Sequence, residues 1–224
     1  MRVWIDLCIE TFTDTTIETP TIETATTVAG NEDANAAFER TVAASFVVRS
    51  VAADPETRLI GISVVGAHAH EQVDEIRLQL ARFGADDVLL YAGVGDPRAI
   101  DAADALMALG PLTNIARLVQ TGAHLPPMLV SAHSFGLDPV SAAIVVAAID
   151  DLLVLPSTIA LRAAFDALRG RNIVVGKRWI AIGSTGAVIF GDGDGDGFVE
   201  RDWVVSADVA TIDARFANLG SAAS

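Results

Sequence analysis

The sequence predicts one α/β domain over residues 1–224, with a Rossmann-like core of mostly parallel strands, helices on both faces and a β-rich C-terminal segment. Three observations carry that expectation. Short β-prone apolar runs alternate with helix-patterned stretches, the order that right-handed βαβ crossovers produce. The 224 residues are 51% apolar and 20% charged, enough to bury one sizeable core. After Arg171 the alternation gives way to closely spaced strand-like runs.

The elements follow in order. RVWIDLCI, Arg2–Ile9, is short and apolar and reads as a buried strand. Glu10–Gly30 holds nine threonines and a repeated TIET at Thr16–Thr19 and Thr21–Thr24, interrupted by Pro20. It reads as a loop or weak hairpin, an insertion at 11–29 beyond the first strand. Alanine-rich periodicity over Asp33–Ala53 predicts a helix. Then come strand Leu59–Val65, helix His70–Phe83, strand Val88–Tyr91 and a short helix over Pro97–Leu106. Strand Met107–Leu109 leads to helix Leu112–Thr121, and strand Met128–Ser131 to helix Pro139–Ile149. Strand Leu152–Leu155 precedes helix Thr158–Leu168. NIVVG, RWIAIG, GAVIF and Phe198–Val205 supply the late strands, and Ser206 is placed to cap a final helix. Sheets of this kind bind ligands beyond the carboxyl ends of their strands, so residues after Ile9, Val65, Tyr91, Leu109 and Ser131 matter most.

Composition narrows the functions. The net charge of −14 repels phosphate backbones and anionic bilayers, which argues against nucleic-acid or membrane partners. The longest apolar run, Ala142–Ile149, is too short to span a bilayer. Asp6 interrupts the N-terminus before a signal-peptide core can form, and Cys8 is the only cysteine. A cytoplasmic protein is expected.

The sharpest motif is GPLTNIA, Gly110–Ala116, at a strand-to-helix junction. Four other stretches share its order: Asp6 with Gly30-Asn31-Glu32-Asp33-Ala34, Ser63-Val64-Val65-Gly66-Ala67, Tyr91-Ala92-Gly93, and Asp138-Pro139-Val140-Ser141-Ala142. Together they resemble the inosine-uridine-preferring nucleoside hydrolase family, colinear over roughly residues 1–165, in a divergent and shortened form. The resemblance implies hydrolysis of the N-glycosidic bond of a nucleoside or nucleoside-like small molecule, and it allows a homo-oligomer. It implies a Ca²⁺ ion held by Asp6, Asp33 and the backbone carbonyl of Leu109. Hard oxygen ligands suit Ca²⁺, and a bound cation orients and acidifies water.

Departures run through the same positions. Cys8 stands where the family has its catalytic base, Glu32 replaces a ribose-binding Asp, and Ala67 replaces an Asn. Ala132-His133-Ser134 replaces Glu-Phe-Asn, and the late His-Asp-Pro element has no match. A thiol is no substitute for a hard carboxylate ligand. The candidate catalytic residues are therefore Asp6, Cys8, Glu10 and His68, and the candidate substrate-binding residues are Glu32, Asn114, His133 and Ser134. Cys8 reads either as a nucleophile with a basic partner or as a small buried hydrophobe. The histidines read either as acid–base groups or as surface residues. Asp192, Asp194 and Asp196 before Gly197 resemble the first half of a calcium loop, which Glu200 or Asp202 could close; a solvated glycine-rich turn is the alternative. A non-hydrolytic protein of the same fold, binding a small ligand or catalysing another reaction, is the competing function.

Overall fold

A computed structural model describes residues 1–8, 47–66, 68–82 and 84–214. Among the described residues the sheet has nine strands: β1 (Arg2–Cys8), β2 (Arg58–Val65), β3 (Leu89–Ala92), β4 (Ala105–Ala108), β5 (Met128–Ser131), β6 (Leu152–Leu155), β7 (Ile173–Ile182), β8 (Val188–Gly191) and β9 (Val199–Ala207). Their spatial order is β3-β2-β1-β4-β5-β6-β9-β7-β8. The first six strands run parallel, β9 joins parallel to β6, and β7 pairs antiparallel with both β9 and β8.

Helices are α1 (47–53), α2 (Ala69–Ala81), α3 (Pro97–Asp101), α4 (Thr113–Gln120), α5 (Pro139–Ala148), α6 (Ala164–Leu168) and α7 (209–214). Two 3₁₀ turns, Ala132–Gly136 and Leu161–Ala163, follow β5 and precede α6. Side-chain alternation along β1 divides the core in two. Val3, Ile5 and Leu7 pack with α1, α2 and α6 on one face. Trp4 packs with residues of α3, α4 and α5 on the other. None of the helices among the described residues is long and apolar enough to cross a membrane.

Some boundaries differ from the sequence expectation. Ala105 and Leu106 are good helix formers, yet they pair with Val3 and Trp4, so β4 starts two residues before Met107 and α3 ends at Asp101. Pro156 is followed by a turn and a 3₁₀ segment, so α6 begins at Ala164. Ser206 lies within β9, and Asp208 caps α7 by accepting from the Thr211 amide at 3.2 Å. The helix expected from Asp33 is described only from residue 47.

Besides the β6–β9 pairing, Arg201 and Gly186 tie the β7–β9 ribbon to the rest of the fold. The buried Arg201 donates to the carbonyls of Val146 at 2.9 Å and Ala147 at 3.2 Å, satisfying the end of α5. In the β7–β8 turn Gly186 has φ +82°, and a Cβ there would lie 2.3 Å from the Phe135 carbonyl oxygen. The turn thus lies directly on the 3₁₀ segment after β5.

Candidate functional site

The strand order reverses between β1 and β4. The chain builds outward through β2 and β3, then returns to β4 on the opposite side of β1. Such a switch point opens a crevice beyond the strand carboxyl ends. Asp6 lies near the end of β1, on the strand face that carries Trp4, and is fully buried. Its Oδ1 accepts from Ser63 Oγ at 2.5 Å and from Asn114 Nδ2 at 3.2 Å. Ser63 Oγ itself accepts from Trp4 Nε1 at 3.1 Å. Asn114 Nδ2 donates also to the Gly93 carbonyl at 3.0 Å, tying α4 to the loop after β3.

Donor chemistry sets the direction of this chain. An indole N–H can only donate, so the Ser63 oxygen accepts from Trp4 and its one proton goes to Asp6. Oδ1 is then an acceptor twice over. The buried Oδ2 has no hydrogen-bond partner among the described residues. Any proton carried by Asp6 therefore sits on Oδ2. Burial pushes the Asp6 pKa up to about 7, against the opposing hydrogen bonds from Ser63 and Asn114. Desolvation outweighs both donors because the whole carboxyl group is out of water.

Three glycines make this geometry fit. Gly61 stands opposite Trp4, and a Cβ there would lie 2.1 Å from the indole. A Cβ at Gly95 would lie 2.5 Å from the same ring. At Gly110 it would lie 2.4 Å from the Cys8 backbone nitrogen, so the β4–α4 turn can close on β1 only without a side chain.

The other expected residues fall in different places. The Leu109 amide donates to the Asp6 carbonyl at 2.8 Å, which holds its backbone at the end of β1. Cys8 is half-buried on the same strand face as Asp6, with Sγ 3.7 Å from where a Gly66 Cβ would be. His68 lies at the start of α2, its side chain 67% exposed, with Nδ1 3.2 Å from Glu71 Oε2. His133 is exposed in the 3₁₀ turn after β5, beside the buried Ser134, whose Oγ has no hydrogen-bond partner among the described residues. Asn114 is buried, and its amide group serves Asp6 and Gly93. Glu10, Glu32, Asp33, the 11–29 insertion and Ala67 lie outside the described residues.

The structure thus gathers Asp6, Asn114 and the Leu109 backbone, with Cys8 beside them, and leaves His68 on a helix surface. Trp4, Ser63 and Gly93 complete the group, although none was an expected site residue. Their signal in the sequence is faint: a serine within an apolar strand, and an indole N–H that needs a buried acceptor.

A second carboxylate links helix starts. Asp138 caps α5 through the Ser141 amide at 3.1 Å and accepts from Thr113 Oγ1, in the first turn of α4, at 2.6 Å. Partial burial acts to raise its pKa, but the bonds from Ser141 and Thr113 together hold it below the ordinary value.

The described residues contain no group of three or more His, Cys, Asp or Glu that could hold a metal ion. Asp192, Asp194 and Asp196 are all exposed in the β8–β9 turn. Glu200 and Asp202 instead flank Lys177 of β7, at 3.2 and 3.5 Å. At the carboxyl edge, Asp6 Oδ2, without a partner among the described residues, and the Leu109 carbonyl are hard oxygen donors suited to Ca²⁺; Cys8 offers a soft sulfur that is not.

No protein-family model matches the chain, and no curated protein sequence matches it. Solved structures do. A plant nucleoside hydrolase, PpNRh1, superposes with a TM-score of 0.64 at 13% identity, covering 95% of this chain and 96% of that one. The inosine-uridine-preferring nucleoside hydrolase from Bacillus anthracis superposes with a TM-score of 0.64 at 11% identity, covering 97% and 98%. The mostly parallel sheet, nine-stranded among the described residues, therefore has the fold of the nucleoside hydrolases.

Proposed function

We propose that the protein acts on the N-glycosidic bond of a nucleoside or nucleoside-like small molecule, through an altered carboxyl-edge site. The observation that carries this reading is Asp6: a fully buried carboxyl at the switch point, with one oxygen held by two donors and the other without a partner among the described residues. Hydrolysis adds water to the anomeric carbon while the bond to the base nitrogen breaks and the base leaves with a proton. The transition state is cationic at the sugar, so an ionised Asp6 stabilises it. Oδ2 is the oxygen that faces this work, because Oδ1 is committed to Ser63 and Asn114.

In this proposal Asp6, the Leu109 carbonyl and Asp33 would hold Ca²⁺, which would lower the pKa of a water and orient it. The β8–β9 turn is a second place for the ion in the sequence reading; calcium titration of chelator-treated protein separates the two, since Asp33→Ala weakens binding at the first only. A binding protein without hydrolysis is the second reading. Cys8, standing at the position of the base, favours it, as a thiol at this edge cannot reproduce a carboxylate.

The deciding experiment is base release from inosine, uridine, adenosine and cytidine, with added Ca²⁺ and with chelator. Release by the wild type that falls about 100-fold or more in Asp6→Asn is the expected result. Tight nucleoside binding with no release replaces it with the second reading.

A further inference from the structure

We propose that Ser63, backed by the Trp4 indole, is a positioning residue that holds Asp6 by Oδ1 and so presents Oδ2 to the ligand; its functional half rests on the reading just given. The argument is directional. Trp4 Nε1 donates to Ser63 Oγ at 3.1 Å, and Ser63 donates its single proton to Asp6 Oδ1 at 2.5 Å. Both bonds are buried, where a hydrogen bond is strong and an unmade one costly. The indole cannot reverse this order, because it has no lone pair to offer.

Trp4 is itself closely packed. It is fully buried, its ring lies across Gly61 and against Gly95, and the Tyr91 ring lies tilted by 34° with its centroid 5.7 Å away. A side chain locked by packing thus orients a hydroxyl, which orients a carboxylate. Asn114 adds a second donor to the same oxygen from the opposite element, α4. Two donors on Oδ1, while Oδ2 has no partner among the described residues, restrict rotation of the carboxyl group, the kind of support a reacting group needs.

Ser63 touches no ligand in this scheme, so removing it should slow turnover and leave binding nearly intact. In Ser63→Ala we expect kcat for inosine to fall about tenfold or more with KM within about twofold, because a misoriented group costs rate before affinity. Ser63→Thr, which keeps the hydroxyl, should recover kcat to within about threefold of wild type. A Ser63→Ala protein that melts earlier but turns over at the wild-type rate overturns the proposal.

A second readout needs no activity. In ¹⁵N-labelled full-length protein the Trp4 indole resonance, assigned with Trp4→Phe, should shift in Asp6→Asn. The same change made in a Ser63→Ala background should leave it unmoved, since the link is cut. An indole resonance indifferent to Asp6→Asn overturns the positioning pair. If no nucleoside is cleaved yet the indole responds through Ser63, the hydrolase reading fails and the positioning pair stands. If nucleosides are cleaved and Ser63→Ala changes neither kcat nor the indole, the reverse holds.

Discussion

The parallel strands β1 to β6 and the β7–β9 ribbon belong to one sheet but are held by different means. In the parallel half, β4 and β5 are buried at every position, and β1 at all but its ends. The ribbon exposes Val174, Val175, Ile189, Phe190 and Val205, and beyond the short β6–β9 pairing it is fastened through Arg201 and Gly186. The acids behave accordingly. Asp6 in the parallel half is desolvated and its pKa rises, while the ribbon's Asp192, Asp194 and Asp196 stand in water. The difference teaches that carboxylate count is a poor guide to chemistry here. In the proposed function one buried acid, with an oxygen unmatched among the described residues, carries more than three exposed ones.

The largest test of this contrast substitutes a glycine in each half. Gly110→Ala drives a methyl group onto the β1 backbone and should cost about 3 kcal/mol or more, or prevent folding. Gly183→Ala, in the ribbon turn, meets its nearest atom at 3.4 Å and should change stability by only about 0.5 kcal/mol. Equal losses in urea melts would erase the contrast.

Next comes pH. Unfolded Asp6 loses its proton near 3.8, whereas the folded group keeps it to about 7. Between those values the folded state binds more protons, so this group's stabilising contribution falls as pH rises through the window, by at most about 1.4 kcal/mol per pH unit. Asp6→Asn should lack that fall when chelator-treated proteins are compared from pH 4 to pH 8. Parallel stability curves would mean that Asp6 is not desolvated in solution.

The smallest effect sharpens the account of the ribbon. Arg201→Met keeps bulk but leaves the Val146 and Ala147 carbonyls without their donor, at a cost of about 2 kcal/mol. The ribbon should then show faster amide exchange than β1 and β4. Uniform exchange across the sheet would mean that the two halves unfold as one.

Much of the fold was legible in the sequence, because buried parallel strands leave near-continuous apolar runs and each is followed by helical spacing. Ala105-Leu106 escaped because their pairing with Val3 and Trp4 overrides helix propensity. The site was legible only in its local motifs. Asp6, Asn114 and Leu109 were named as candidates through GPLTNIA and the first strand, and the structure brings the three together. The links among them span 57 positions to Ser63 and 108 to Asn114, a separation no local pattern encodes. Trp4 looked like core and is core; its second role depends on one N–H and on what lies beside it.

One irregularity sets all of this in place. Between β1 and β2 the pairing slips by one residue after Val3, so that Trp4 faces Gly61 and Asp6 faces Ser63. Without that extra residue Trp4 would face Ile60 and Asp6 would face Ile62. A bulky ring would meet a branched side chain, and a buried acid would meet hydrocarbon. Asp6 owes its Ser63 donor to a single inserted position, so insertions or deletions in β2 should harm this protein more than most substitutions around it.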